Sequence, residues 1–318
     1  MTALVFVDGQ EGTTGLRIHE VLASRADVEV LRIAPALRKD PAERARLMNA
    51  ADIVFLCLPD EAARESAALV HNPLTCIIDA STAHRTAAGW TYGLAELSRD
   101  HRAALRTTKR ISNPGCHATA FILLLRPLVD AGLVSPQLLV SATSITGYSG
   151  GGKKMIERYQ SSQDAALQSP RPYGLGLAHK HLPEMQTHTG LATKPHFVPV
   201  VGAFYQGLAV MVPLHRAQLA RQASAEAVHT CLAKHYAGER FVKVMPLRDE
   251  NTLRIGEFDV QACNGSNRAE VFVFGSDDQV LLMCRLDNLG KGASGAAVQA
   301  MNIHLGVDEG LGLETADN

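Results

Sequence analysis

Over the first third of the chain, short unbroken apolar runs alternate with stretches of helical spacing. Leu4–Asp8, Val28–Ile33, Asp52–Leu58 and Cys76–Ala80 read as strands, and Leu16–Ala23 and Pro41–Asn49 as helices. A strand that is apolar at every position, rather than every second one, has both faces covered. Strands of that kind alternating with helices predict a parallel sheet flanked by helices. We place this first domain at residues 1–115.

From Leu138 the texture changes. Leu139–Ile145, Phe197–Val201, Leu208–Pro213, Phe258–Cys263, Ala269–Phe274 and Val280–Leu286 read as longer, β-branched strands with few helices between them. They predict an α+β substrate domain with a mixed or antiparallel sheet, placed at residues 116–287. Residues 147–196 show little periodicity and are rich in Gly, Ser, Gln, His and Pro. A loop of that length is usually functional. Gly295–Leu305 is small and apolar at helical spacing, and residues 288–318 are expected to carry a closing helix back to the first domain.

Composition narrows the classes without naming one. The chain has 318 residues, which suits two domains. It is 46% hydrophobic and 20% charged with a net charge of −1, so no global field draws it to nucleic acid or membrane. No stretch approaches the ~20 apolar residues of a membrane span. Ala3–Val7 is too short for a secretory signal. The six cysteines, at 57, 76, 116, 231, 263 and 284, show no metal-type CxxC spacing. A reducing cytoplasm and no bound metal are the expectations.

The first strand runs into Gly9-Gln10-Glu11-Gly12-Thr13-Thr14-Gly15 and then a helix. Glycines at this spacing permit a tight turn, close approach of backbone to a pyrophosphate, and close packing of helix on strand. Thr13 and Thr14 add donors at the helix start. Strand, turn and helix together predict a Rossmann-like dinucleotide-binding domain. The second strand does not end in the acid that grips a ribose hydroxyl; Arg38 and Lys39 follow it instead. That favours NADP over NAD, since a 2′-phosphate repels an acid and attracts Arg. Pro59, after the third strand, is expected in the crevice on the nicotinamide side.

Ser112-Asn113-Pro114-Gly115-Cys116-His117-Ala118-Thr119 then sets a thiol between a Pro-Gly turn and the apolar run Ala120–Leu125. A cysteine in the first turn of a helix faces unpaired N–H groups and the positive end of the helix dipole. Both favour the thiolate. A thiolate used with a nicotinamide serves acyl chemistry, in which it attacks an activated acyl group and the thioester accepts hydride. The base comes from Ala178-His179-Lys180-His181-Leu182-Pro183-Glu184, where two imidazoles precede a helix start. Either imidazole could take the thiol proton, and sequence does not decide between His179 and His181. Two stretches suit anions: Gly147-Tyr148-Ser149-Gly150-Gly151-Gly152-Lys153-Lys154, with exposed N–H groups, and Arg85, at the end of the fourth strand.

Taken together these motifs resemble the short form of N-acetyl-gamma-glutamyl-phosphate reductase, in the semialdehyde dehydrogenase superfamily. The resemblance covers the Cys116 signature, the Gly147–Lys153 loop, the His179–Glu184 segment, and Asp287–Ala293 with Gln299 and Asn302. His117 departs from it, standing where many members carry tyrosine. The resemblance implies NADPH-dependent reduction of an acyl phosphate to a semialdehyde in arginine biosynthesis. Cys116 is the implied nucleophile and one of the two histidines the acid/base, with His179 favoured. Ser149, Gly150, Arg85 and Glu184 are the implied substrate contacts, Asn288 a cofactor contact, and a homo-oligomer the assembly. The alternatives are aspartate-semialdehyde dehydrogenase, which shares the thiol motif, and a non-catalytic dinucleotide sensor. A cysteine hydrolase would leave the glycine turn unexplained.

Overall fold

A computed structural model describes residues 2–9, 12–162, 164–253 and 256–313. They divide into two units, residues 2–114 with 293–313, and residues 115–292. Gln10 and Glu11 of the glycine turn lie outside the described residues.

The first unit begins β1 (Ala3–Asp8), α1 (Thr13–Ala23), β2 (Val28–Leu31), α2 (Pro41–Ala50), β3 (Ile53–Leu56) and α3 (Asp60–Ala68). It continues β4 (Cys76–Asp79), β5 (Thr91–Tyr92), α4 (Arg99–Thr107) and β6 (Arg110–Ser112). The six strands form one sheet in the order β2-β1-β3-β4-β6-β5, parallel throughout. Successive residues of each central strand go to opposite cores. Val5, Val7, Phe55 and Ile78 join one apolar cluster, and Phe6, Val54, Leu56 and Ile77 the other. That is why these strands are apolar at every position up to their carboxyl ends, where β1 closes on Asp8 and β4 on Asp79.

The second unit runs α5 (Cys116–Asp130), β7 (Ser141–Gly147), α6 (Lys153–Ser161), β8 (Arg171–Pro172), α7 (Leu182–Thr189) and β9 (His196–Gly202). β10 (Leu208–His215), α8 (Ala225–His235), β11 (Val242–Val244), β12 (Ala269–Gly275) and β13 (Gln279–Leu286) follow. Its seven-stranded sheet, β11-β12-β13-β10-β7-β9-β8, is mixed: β11 with β12 and β7 with β9 are parallel, the other neighbours antiparallel. The buried helix α5 packs on β10, β12 and β13, with α7 and α8 beside it. The last helix, α9 (Gly295–Leu305), belongs to the first unit, where Ala297, Val298, Met301 and Ile303 enter the cluster of Val5 and Phe55.

Two sequence expectations need correction. Phe258–Cys263 is not a strand but a run of turns, in which Asp259 accepts the N–H of Gln261 at 2.8 Å and Gln261 O that of Asn264 at 2.9 Å. Its apolar residue serves packing instead: the Phe258 ring lies edge to face with Phe272 and takes the Arg285 guanidinium at 5.1 Å. The 147–196 stretch is also more ordered than its composition suggests, since it holds α6 and α7. α6 is short and fully buries none of its residues; its apolar stripe is only Met155, Ile156 and Tyr159, each half-buried.

Candidate functional site

Gly115 precedes the first residue of α5 and has no side chain to cap it. Glu184, buried in the first turn of α7, supplies the acceptor: its Oε2 takes the Gly115 N–H at 3.1 Å. Cys116 is the first helical residue, where the sequence places it. Thr119 tightens the same turn by donating to the Gly115 carbonyl at 3.0 Å. Gly292 packs against the Cβ of Cys116. A Cβ at Gly292 would stand 2.6 Å from that of Cys116, so only glycine allows this approach.

Three imidazoles gather in this unit. The rings of His179 and His181 are 4.8 Å apart, and each lies within 5.5 Å of the ring of His117. Nδ1 of His179 accepts the backbone N–H of His181 at 3.2 Å, which leaves its neutral-state proton on Nε2. His181 is the more buried of the two, with Nε2 3.9 Å from Oε1 of Glu184. Glu184 therefore touches both the start of α5 and His181.

Sequence reading treats His117 only as a departure and passes over Tyr173 and Ser144 altogether. In the structure His117 is buried between them, Nδ1 2.8 Å from Ser144 Oγ and Nε2 3.0 Å from the Tyr173 hydroxyl. Burial, then the neighbouring His179 and Lys180, depress its pKa to about 3, so it is neutral at physiological pH. One signal was available. β7 buries Ala142, Ser144 and Thr146 on its inner face, and a serine in an inward register calls for a partner.

Ser149 and Asn288 are brought together. The Asn288 amide donates to Ser149 Oγ at 2.9 Å and accepts the Gly207 N–H at 2.8 Å, and both side chains are buried. A Cβ at Gly150 would lie 3.6 Å from that amide nitrogen. Asn288 thus holds the Tyr148–Gly151 turn in place.

In the first unit the glycine turn meets the requirements of a dinucleotide. Gly9 has φ +92°, and a Cβ there would run into the Cys57 carbonyl. Gly12 caps α1 without a side chain, and Thr13, Thr14 and Gly15 form a first turn free of acids. The open N–H groups of an 11-residue helix therefore face the turn. Asp8, at the end of β1, would repel a diphosphate, but Arg44 pairs with it at 2.6 Å and also bonds Ser66. Pro59 caps α3, and Asp60 beside it accepts the Thr82 N–H at 2.9 Å, joining the loops that follow β3 and β4. No acid follows β2; Arg38 is exposed on the Pro35–Leu37 turn, its Nε on the Pro35 carbonyl. These residues fit a nicotinamide dinucleotide.

Arg85 is buried in this unit, with Nε donating to Asn113 O at 2.9 Å and a terminal nitrogen to Ala80 O at 3.3 Å. It holds the loops after β4 and β6. Among the cysteines, burial pushes Cys57, Cys76 and Cys263 up to about 12 and raises Cys231 and Cys284 as well. Among the described residues no cluster of three metal-ligating side chains occurs and no helix is long and apolar enough to cross a membrane.

Comparison with known proteins accords with this geometry. Residues 36–105 match the family model for the semialdehyde dehydrogenase NAD-binding domain, and residues 116–288 that for the semialdehyde dehydrogenase dimerisation domain. N-acetyl-gamma-glutamyl-phosphate reductase 2 of Nostoc sp. is 47% identical over 97% of this chain and 98% of its own. The N-acetyl-gamma-glutamyl-phosphate reductase of Burkholderia ambifaria is 49% identical over 96% of both. In fold, the chain is similar to aspartate semialdehyde dehydrogenase II of Vibrio cholerae, with a TM-score of 0.69 at 16% identity over 96% of this chain and 98% of the other. The chain is an enzyme of the N-acetyl-gamma-glutamyl-phosphate reductase family, within the semialdehyde dehydrogenases.

Proposed function

We propose that this enzyme reduces N-acetyl-γ-glutamyl phosphate to N-acetyl-glutamate 5-semialdehyde, releasing phosphate and using NADPH. The observation that carries this reading is Cys116 at the first position of α5, with Glu184 and the two histidines of the following segment beside that helix start.

Cys116 attacks the acyl carbon, giving up its proton to His181. The sulfur–carbon bond forms and the carbon–oxygen bond to phosphate breaks, the leaving phosphate taking a proton from solvent, and an acyl thioester remains on Cys116. The nicotinamide, when bound, supplies a hydride to that carbonyl. His181 returns its proton to the alkoxide, giving a thiohemiacetal. It then takes the hydroxyl proton as the sulfur–carbon bond breaks and the aldehyde leaves.

His181 takes the proton-carrying role because its ring carries the Glu184 carboxylate at 3.9 Å, which suits a ring that becomes positive. His179 presents an N–H at Nε2, because its Nδ1 is occupied by the His181 backbone. That makes it a donor to the developing oxyanion rather than a base. This reverses the preference for His179 drawn from sequence. Gly9, Gly12, Thr13, Thr14 and Gly15 would hold the diphosphate, Arg38 the 2′-phosphate, and Pro59 the nicotinamide side. Ser149 and Gly150, braced by Asn288, and, in the first unit, Arg85 would supply hydrogen-bond donors to the substrate's anionic groups. A cytoplasmic homo-oligomer is proposed with this activity, assembled through the domain whose family model is described as a dimerisation domain.

The experiment is the reverse reaction. N-acetyl-glutamate semialdehyde, phosphate and NADP should give NADPH, with no product when phosphate is omitted. Faster turnover of aspartate semialdehyde would overturn the substrate assignment, and no turnover of either would leave a dinucleotide-binding sensor.

A further inference from the structure

Ser144, His117 and Tyr173 form a chain of hydrogen bonds whose direction can be derived. Ser144 Oγ lies 3.1 Å from the Ala209 carbonyl, which can only accept, so the single serine proton goes there. The serine oxygen must then accept from Nδ1 of His117 at 2.8 Å, which fixes the imidazole proton on Nδ1. Nε2 of His117 is left bare and takes the Tyr173 hydroxyl proton at 3.0 Å. His117 does not gain a second proton in the working range, since its pKa is held near 3 by burial. Burial, with the neighbouring Cys116 charge, also raises the phenol of Tyr173, which keeps it un-ionised. The chain therefore has one polarity. Tyr173 Oη has spent its only proton and meets any further group as an uncharged acceptor.

We propose that Tyr173, locked by His117 and Ser144 as an uncharged hydrogen-bond acceptor, takes the amide N–H of the substrate and selects N-acylated substrates over those with a free amine. This rests on the substrate proposed above. N-acetyl-γ-glutamyl phosphate offers its carboxylate, its phosphoryl oxygens and two carbonyls as acceptors, and a single donor, the amide N–H. An acceptor that cannot donate fits only that group. Glu184, the acid that would suit an ammonium, is already committed to the Gly115 N–H and stands beside His181. A free amine would enter as a cation facing a neutral oxygen, and burying an unpaired charge is costly.

The test compares the amide substrate with its ester analogue, 2-acetoxy-glutarate 5-semialdehyde, in which oxygen replaces the N–H. Both are assayed with phosphate and NADP on the wild type and on Tyr173→Phe. The wild type should prefer the amide by about tenfold or more in kcat/KM, as expected when a site's buried acceptor loses its donor. In Tyr173→Phe the preference should collapse toward unity, mostly through KM for the amide, with the Cys116 alkylation rate retained. If the variant loses equally on both substrates, Tyr173 is structural or serves a histidine or the thiol, and the assignment is wrong. If the wild type turns over neither, the proposed activity fails and this inference with it. An independent arm needs no turnover: in enzyme labelled with ¹⁵N-histidine, His117, assigned by its loss in His117→Gln, should keep Nδ1 protonated and Nε2 bare between about pH 5 and 8. The opposite tautomer would reverse the polarity and overturn the proposal.

Discussion

Glu184 Oε2 accepts the backbone N–H of Gly115 at 3.1 Å, so the helix that follows the histidine pair is tied to the residue before Cys116. One carboxylate thus does two separable things. Glu184→Gln keeps an acceptor for Gly115 but removes the charge facing His181. It should unfold near the wild-type temperature while kcat falls about tenfold or more. Glu184→Ala also strands a buried N–H, and should lose a further ~1–3 kcal/mol of stability in urea unfolding. Equal kcat in Glu184→Gln and wild type would remove the carboxylate from the proton-transfer scheme.

Gly292 is expected to be intolerant of any side chain. The 2.6 Å approach that a Cβ there would make to Cys116 must be relieved by moving Cys116 or the turn that carries Gly292. Gly292→Ala should slow both turnover and iodoacetamide labelling of Cys116, and overpacking of this kind costs about 1–3 kcal/mol. Labelling kinetics and thermal unfolding of the same sample check it.

His117 should leave a mark on the pH dependence of stability. Its pKa is about 3 in the folded chain against an ordinary 6.5, so between those values the unfolded chain binds the extra proton. Stability is then fully present above about pH 6.5 and falls as pH drops toward 3, by up to ~1.4 kcal/mol per unit for one group. His304 and His19, also depressed by burial, add to the slope in the same direction. His117→Gln should flatten the slope of unfolding free energy between about pH 6 and 4. An unchanged slope would show that His117 titrates normally.

Cofactor choice should follow Arg38. With no acid after β2 and an exposed guanidinium on the next turn, Arg38→Ala should weaken NADPH binding about tenfold while leaving NADH unchanged. Gly9→Ala should weaken both equally, since its Cβ would collide with the Cys57 carbonyl on the turn that serves either cofactor. Fluorescence titration with each nucleotide separates the two effects.

The parts of the molecule that sequence reveals are those written in local order. Cys116 and its helix follow from a Pro-Gly turn meeting an apolar run. The parallel sheet follows from strands such as Ile53–Leu56 that are buried at every position. What sequence hides is made by distance along the chain. His117 meets Ser144 across 27 residues and Tyr173 across 56, and Arg44 meets Asp8 across 36. Each is an ordinary polar residue until the fold supplies its partner. α6 is legible only in Met155, Ile156 and Tyr159, a stripe of three half-buried residues too short to stand out from the polar stretch around it. Phe258 misleads because its side chain is apolar for packing while Asp259 turns the backbone.

Mass spectrometry of acid-quenched enzyme, mixed with N-acetyl-γ-glutamyl phosphate in the absence of any nicotinamide nucleotide, tests the central chemistry most directly. The N-acetyl-glutamyl group should appear on the peptide containing Cys116, with stoichiometric release of phosphate, and should be absent from Cys116→Ser. Phosphate release without an adduct, or an adduct that persists in Cys116→Ser, would contradict the thioester mechanism.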